Sequence, residues 1–234
     1  MRLFCIGLTL LLSGCSDPCS VVDVSAFAER FVRAAQTKQM APEYLDSIAC
    51  ITVNQLNTQL NTDAQKKAFW INLYNGLIRY NIQHTANLDL TKTAFFDTKC
   101  IAFKDVKLSF NTIERGILGR DSVKVKSLIQ PVEKKDKRIH FALNCGARSC
   151  PPIQVYVATS INDQLEIAQR SFIISTSRYT KTTNTLTISE LFRWYAADFG
   201  GENGIIQLMR LYHVIPPWAS PKLNYDIYDW RIEK

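Results

Sequence analysis

Apolar positions recur at helical spacing at Val24, Phe27, Phe31 and Ala34, which predicts a helix over residues 23–37 that ends before Pro42. A stronger pattern begins at Thr62-Asp63-Ala64-Gln65. This is a capping box, with a side-chain acceptor at the N-cap and a glutamine three places later. It opens the run TDAQKKAFWINLYNGLIRYNIQHT, predicted helical from Asp63 to about Gln83. Trp70, Leu73, Leu77 and Tyr80 share one face of that helix, with Ile71, Tyr74 and Ile78 beside it. So much apolar surface around one cylinder implies a central helix covered on more than one side.

Shorter patterns fill the rest of the chain. Residues 100–110 read as two short strands turning at Lys104-Asp105. Ser109 then caps a helix through Leu118, ended by Gly119. Residues 138–143 alternate and predict a strand, followed by a turn at Asn144-Cys145-Gly146. Beyond Pro151-Pro152, residues 153–157 predict a second strand. Residues 160–174 predict a helix with Ile161, Leu165, Ala168 and Phe172 inward. Residues 185–188 predict a strand, and Ser189 caps a helix carrying Leu191, Phe192, Trp194 and Tyr195. After Gly200-Gly201, Asn203 caps a last helix to about Tyr212, and the tail NYDIYDW is extended. Interleaved helices, strands and hairpins place the fold in the α+β or mixed α/β class, with a small sheet packed on the long central helix.

The first residues change the picture. MRLFCIGLTLLLSGC has a positive start at Arg2, a short apolar run, and small residues before Cys15. That is the layout of a secretory signal, and the run is well short of the roughly 20 residues that cross a bilayer. Leu12-Ser13-Gly14-Cys15 is similar to the bacterial lipobox, in which the cysteine is lipidated and becomes the first residue. The expected division is a signal peptide over 1–14, a lipidated linker over 15–22 and a single domain over 23–234. The expected location is the periplasm-facing cell envelope, held to a membrane by the lipid on Cys15, with Ser16 pointing to the outer membrane rather than the inner. The chain has 234 residues, 47% hydrophobic and 21% charged, an ordinary globular composition. Its charge of +7 suits a solvated basic surface, and no nucleic-acid partner is expected in a secreted protein.

An oxidising compartment governs the cysteines. With Cys5 removed and Cys15 lipidated, Cys19, Cys50, Cys100, Cys145 and Cys150 remain. Cys19 and Cys50 flank the first helix and can staple the N-terminal segment. Cys145 and Cys150 are either a short-loop disulfide or a reactive centre. His140 with these two cysteines matches no common zinc spacing, so no metal is expected. Nor is any cofactor, since there is no phosphate loop and no dinucleotide glycine fingerprint.

Four motifs occur in order: FWINLYNGLIRYNI, LSFNTIERGIL, RIHFALNCGARSCPP and FRWYAADFGG. Together they resemble the DUF547 family over roughly residues 60–212. The family's middle motif usually reads Ile-Glu-His, whereas this chain has Ile113-Glu114-Arg115, so no histidine role carries over there.

The residues themselves suggest thiol chemistry. A cysteine nucleophile needs a base or cation nearby and a donor for the oxyanion. Cys145 follows a predicted strand at a turn, Gly146 allows close approach, and His140 is the nearest base. Asn72, Asn75 or Asn144 are candidates to orient the imidazole or to donate to an oxyanion. Glu114 and Arg148 are candidates to pair or to position substrate. The implied function is an envelope hydrolase or acyltransferase, in the broad manner of papain-like hydrolases but permuted, since His140 precedes Cys145. The alternative is a non-catalytic, lipid-anchored binding or assembly module with a structural Cys145–Cys150 pair. The substrate or protein partner is not named by these residues.

Overall fold

The computed structural model describes residues 19, 21–39, 41–85, 88–91, 93–119 and 128–232. The predicted signal peptide and Cys15 lie outside the described residues. Four helices come first: α1 (Val24–Gln36), α2 (Glu43–Cys50), α3 (Val53–Gln59) and α4 (Asp63–His84). A short α5 (Thr93–Asp97) leads into a hairpin of β1 (Ile101–Ala102) and β2 (Lys107–Leu108). Then come α6 (Ile161–Thr176), β3 (Arg178–Thr180), β4 (Thr185–Ser189), α7 (Leu191–Trp194), α8 (Gly201–Leu211) and β5 (Lys222–Asp226). The second sheet has the order β3-β4-β5, antiparallel between β3 and β4 and parallel between β4 and β5. Among the described residues no helix is long and apolar enough to cross a membrane.

The α4 capping box forms in full: Thr62 accepts from the Gln65 amide, and Gln65 accepts from the Thr62 amide. Every residue from Lys66 to Ile78 is buried, so α4 is central, as its apolar pattern predicts. The two lysines within that stretch are satisfied, Lys66 by the Pro131 carbonyl and Lys67 by Asp136. Gly76 allows α1 to approach closely, since a Cβ there would stand 2.5 Å from a ring carbon of Phe31. The hairpin joins this first core through Ile101, Phe103 and Leu108. A second core gathers α6, α7, α8 and the three-stranded sheet around Phe172, Leu186, Phe192 and Met209. The two cores meet at residues 139–141, where Ile139 belongs to the first and Phe141 to the second.

Several predicted elements differ. Residues 138–143 form no strand: Lys137–Phe141 is a 3-10 helix capped by the Asp136 side chain on the Arg138 amide. Its amides bond within the turn, Ala142 and Leu143 both to Ile139 O, so no ladder partner is needed. Over so few residues, apolar alternation cannot be told from this tighter spacing. Residues 153–157 pair with no strand. Side-chain amides replace the ladder: Asn72 bonds both the amide and the carbonyl of Tyr156, and Gln164 bonds Val155 O and Val157 N. The Ser109 cap forms on the Thr112 amide, but the helix that follows is π-type over Thr112–Leu118. Asn203 does not cap α8; Gly200, left-handed at φ 82°, takes that place. Cys19 and Cys50 are disulfide-bonded and tie the segment before α1 to the end of α2.

Candidate active site

The site is built around the loop after the 3-10 helix. Buried Asn75 on α4 donates to Ala142 O at 2.9 Å and accepts from the Asn144 amide at 2.8 Å. Asn144 in turn donates to Pro151 O and accepts from the Gly146 amide, both at 2.7 Å. Gly146 has φ +94°, and a Cβ there would stand 2.5 Å from Ile82 Cδ1, so the position needs glycine twice over. The chain then turns back and brings Cys150 beside Cys145.

These bonds correct three expected roles. Asn72, Asn75 and Asn144 spend their amides on backbone groups and do not line the cleft. They hold the loop in place. Buried amides must find partners, and here those partners are the backbone of the segments crossing α4.

Cys145 and Cys150 are both free thiols. The Cys145 amide donates to Cys150 Sγ at 3.0 Å. One hydroxyl, that of Tyr228, lies 3.5 Å from Cys145 Sγ and 3.0 Å from Cys150 Sγ. The tail is pinned there, because the amides of Arg148 and Ser149 bond to Arg231 O and Asp229 O. The Ser149 hydroxyl also accepts from the Asp229 amide. Hydrogen bonding from Cys150, and then from Tyr228 and the Ala147 amide, holds the Cys145 thiol below its ordinary value against the opposing effect of burial. Burial and the Cys145 charge push Cys150 well above its own. The pair therefore loses a first proton more easily than a second, with Cys145 shifted down and Cys150 shifted up.

Cys145 and Cys150 both line a cavity of about 390 Å³. Tyr74, Glu114, His140 and Tyr195 line its inner wall. Glu114 accepts from the Tyr195 hydroxyl at 2.6 Å and lies 3.5 Å from the Tyr74 hydroxyl. Burial, with Glu114 next in effect, raises the pKa of both tyrosines, so they stay protonated donors. His140 stacks on Tyr195 with ring centroids 3.7 Å apart, and its Nε2 meets Asp198 Oδ2 at 2.8 Å. Lys135 Nζ holds the other oxygen of Asp198 at 2.9 Å. Burial lowers the His140 pKa despite the Asp198 bond, which favours the neutral ring. His140 thus shares the cavity with Cys145, but its hydrogen bond goes to Asp198 and none joins it to the thiol.

Arg148 is the other correction. It is exposed and lines a neighbouring cleft with Arg178 and Asp226, which shares Cys150 and Tyr228 with the cavity but does not include Glu114. The cation beside Glu114 in the cavity is Arg115, carried with it on the π-helical segment. That geometry is frequent at functional sites. The cavity mouth is aromatic: Trp194, 44% exposed, packs on Tyr228 and Trp230 with centroids 4.7 and 5.6 Å away. Among the described residues no three His, Cys, Asp or Glu side chains group as metal ligands.

Sequence reasoning missed Tyr228, Asp198, Tyr195 and Arg115 as site residues. Tyr195 and Asp198 lie in FRWYAADFGG, one of the four motifs, and that was the signal available for them. Nothing local marked Tyr228. A family model described as "Protein of unknown function, DUF547" matches residues 57–173. The matched stretch carries Tyr74, Glu114, His140, Cys145 and Cys150, and it stops before FRWYAADFGG and the tail. No curated protein and no solved structure matches the chain.

Proposed function

The chain belongs to the DUF547 family, and on that premise we propose that it is a cysteine-dependent hydrolase or acyltransferase with Cys145 as nucleophile. One observation carries the reading: Cys145 opens onto an aromatic-lined cavity as a free thiol whose ionisation is favoured by Cys150, Tyr228 and the Ala147 amide. The Cys145 thiolate attacks the carbonyl carbon of an ester, thioester or amide and forms a sulfur–carbon bond. The displaced carbonyl electrons collect on oxygen, and the Tyr228 hydroxyl, 3.5 Å from the sulfur, is a donor available to it. Collapse expels the leaving group, which takes the proton held by Cys150. Water, or an acceptor alcohol or amine, then attacks the thioester, returns a proton to Cys150 and releases the Cys145 thiolate. The His140–Asp198 pair braces Tyr195 and Glu114 at the inner wall. The reading rests on this chemistry and not on likeness to papain-like folds.

The binding or assembly module is the second reading, and two observations favour it. No hydrogen bond joins His140 to Cys145, and the exposed Trp194–Tyr228–Trp230 cluster offers a contact surface at the mouth. In either case Leu12-Ser13-Gly14-Cys15 supports a lipid-anchored envelope protein.

Activated esters separate the two readings, because a nitrophenolate leaves without an acid. The full chain is treated with p-nitrophenyl acetate and the acylated peptide is mapped by mass. Acylation at Cys145 with turnover, both lost in Cys145→Ala, is the expected result. Cys150→Ala should still acylate, with its pH profile moved upward because a hydrogen bond that favours the thiolate is gone. Equal turnover by Cys145→Ala and the unmodified chain would leave the binding module as the better reading.

A further inference from the structure

We propose that Cys145 and Cys150 form a redox-active dithiol that exchanges with small disulfides entering the same cavity. This activity uses the nucleophile of the acyl-transfer reading but does not depend on that reading. The chain treats its cysteines in two ways. Cys19 and Cys50 are joined, whereas Cys145 and Cys150 stand open around one hydroxyl. The loop between them is held in its turn by Asn144 and the left-handed Gly146, so the sulfurs converge without help from a covalent bond.

The two thiols are also unequal in the way that disulfide exchange needs. Cys145 ionises readily and attacks; Cys150, more deeply desolvated, keeps its proton until a mixed disulfide forms beside it. In the first step the Cys145 thiolate attacks one sulfur of R–S–S–R. A Cys145–S–S–R bond forms, the old disulfide breaks, and RS⁻ leaves and takes a proton from water. In the second step Cys150 gives up its proton, attacks Cys145 Sγ and expels the second RS⁻, which takes that proton. One disulfide is reduced to two thiols, and the protein is oxidised by two electrons to the Cys145–Cys150 disulfide. Tyr228 follows both sulfurs, since its hydroxyl can donate to whichever carries charge.

The cavity selects for small partners. At about 390 Å³ it lies at the small end of the range for small-molecule sites. Arg115 at its edge suits a disulfide that carries a carboxylate, such as a peptide thiol dimer.

The test uses the full chain, reduced under native conditions and incubated with oxidised glutathione, then quenched in acid, alkylated and mapped by mass. The expected product is a Cys145–Cys150 disulfide, lighter by two hydrogens, with two glutathione thiols released for each beyond the one that a mixed disulfide at exposed Cys100 releases. Cys150→Ala should stop with glutathione on Cys145. Cys145→Ala should modify Cys150 at least about tenfold more slowly, because the better nucleophile is gone. The proposal is overturned if the unmodified chain accumulates glutathione on Cys145 without closing the internal bond. Equal rates in Cys145→Ala would overturn it too. Acylation by p-nitrophenyl acetate, measured on the same samples, keeps the readings apart. Acylation without internal disulfide sinks the dithiol alone, and internal disulfide without acylation sinks the acyl-transfer reading alone.

Discussion

Tyr228 touches both thiols at once. Its hydroxyl is the one side-chain donor shared by both sulfurs, and burial, followed by the two cysteines, raises its own pKa, so it remains protonated. Its bond lowers the Cys145 pKa, so removing it must raise that pKa. In Tyr228→Phe the midpoint of Cys145 alkylation should therefore move to higher pH. The iodoacetamide rate at pH 7 should fall, roughly twofold if the midpoint rises by half a unit from about 7. At pH well above the new midpoint the two rates should converge. A fall that persists at high pH would mean that the ring has shifted the loop, and the hydroxyl would not be the cause. The asparagines act differently. Asn75 and Asn144 make no contact with the cavity, yet together they bond four backbone groups that set where Cys145 stands. They are positioning residues.

At the scale of elements, α4 is the beam on which the site is mounted. Trp70 is fully buried on it and meets Phe69 and Phe103 edge-on, so it ties α4 to the hairpin. Trp70→Ala should cost about 3–5 kcal/mol in urea unfolding, the usual range for a buried aromatic truncated to alanine. A cost below about 1 kcal/mol would show that this face is not packed as described. The same helix supplies Tyr74 to the cavity and Asn75 to the loop, one turn beyond Trp70. Loss of packing at Trp70 should thus reach the thiols. The 3-10 helix after Asp136 has a second job at this scale: its Ile139 and Phe141 stitch the two cores, while His140 between them faces the cavity.

For the whole molecule, the cavity lies where the family-matched region meets the segment that follows it. Residues 57–173 bring the thiols, Glu114 and His140; Trp194, Tyr195, Asp198 and Tyr228 close over them from the later part of the chain. The whole-molecule expectation that remains is attachment. Lipid on Cys15 predicts that the protein sediments with membranes and carries acyl mass on that residue. Cys15→Ala should release it to the soluble fraction, and unchanged membrane association with unchanged mass would remove the anchor from the account.

By itself the sequence determined the features that neighbours along the chain decide. The α4 capping box, the buried run after it and the hairpin at Lys104-Asp105 follow from interactions spanning a few residues, whereas the glycine at 146 is fixed locally only by its left-handed turn and otherwise by Ile82 on α4. The turn at Asn144-Cys145-Gly146 was legible for the same reason, and the places of Cys19 and Cys50 around α1 suggested their staple, but the sequence left open whether Cys145 and Cys150 stand as thiols or as a disulfide. Where two local conformations share a pattern, the sequence did not decide. Residues 138–143 fit strand or 3-10 helix equally until the surroundings offered no neighbouring strand, and residues 153–157 took side-chain amides in place of one. What makes the thiols a site came only with the tertiary structure. His140 finds Asp198 at a separation of 58 residues, Cys150 finds Tyr228 at 78, and Glu114 finds Tyr195 at 81. Partners so far apart are chosen by how helices and sheets pack, and no local spacing records that choice.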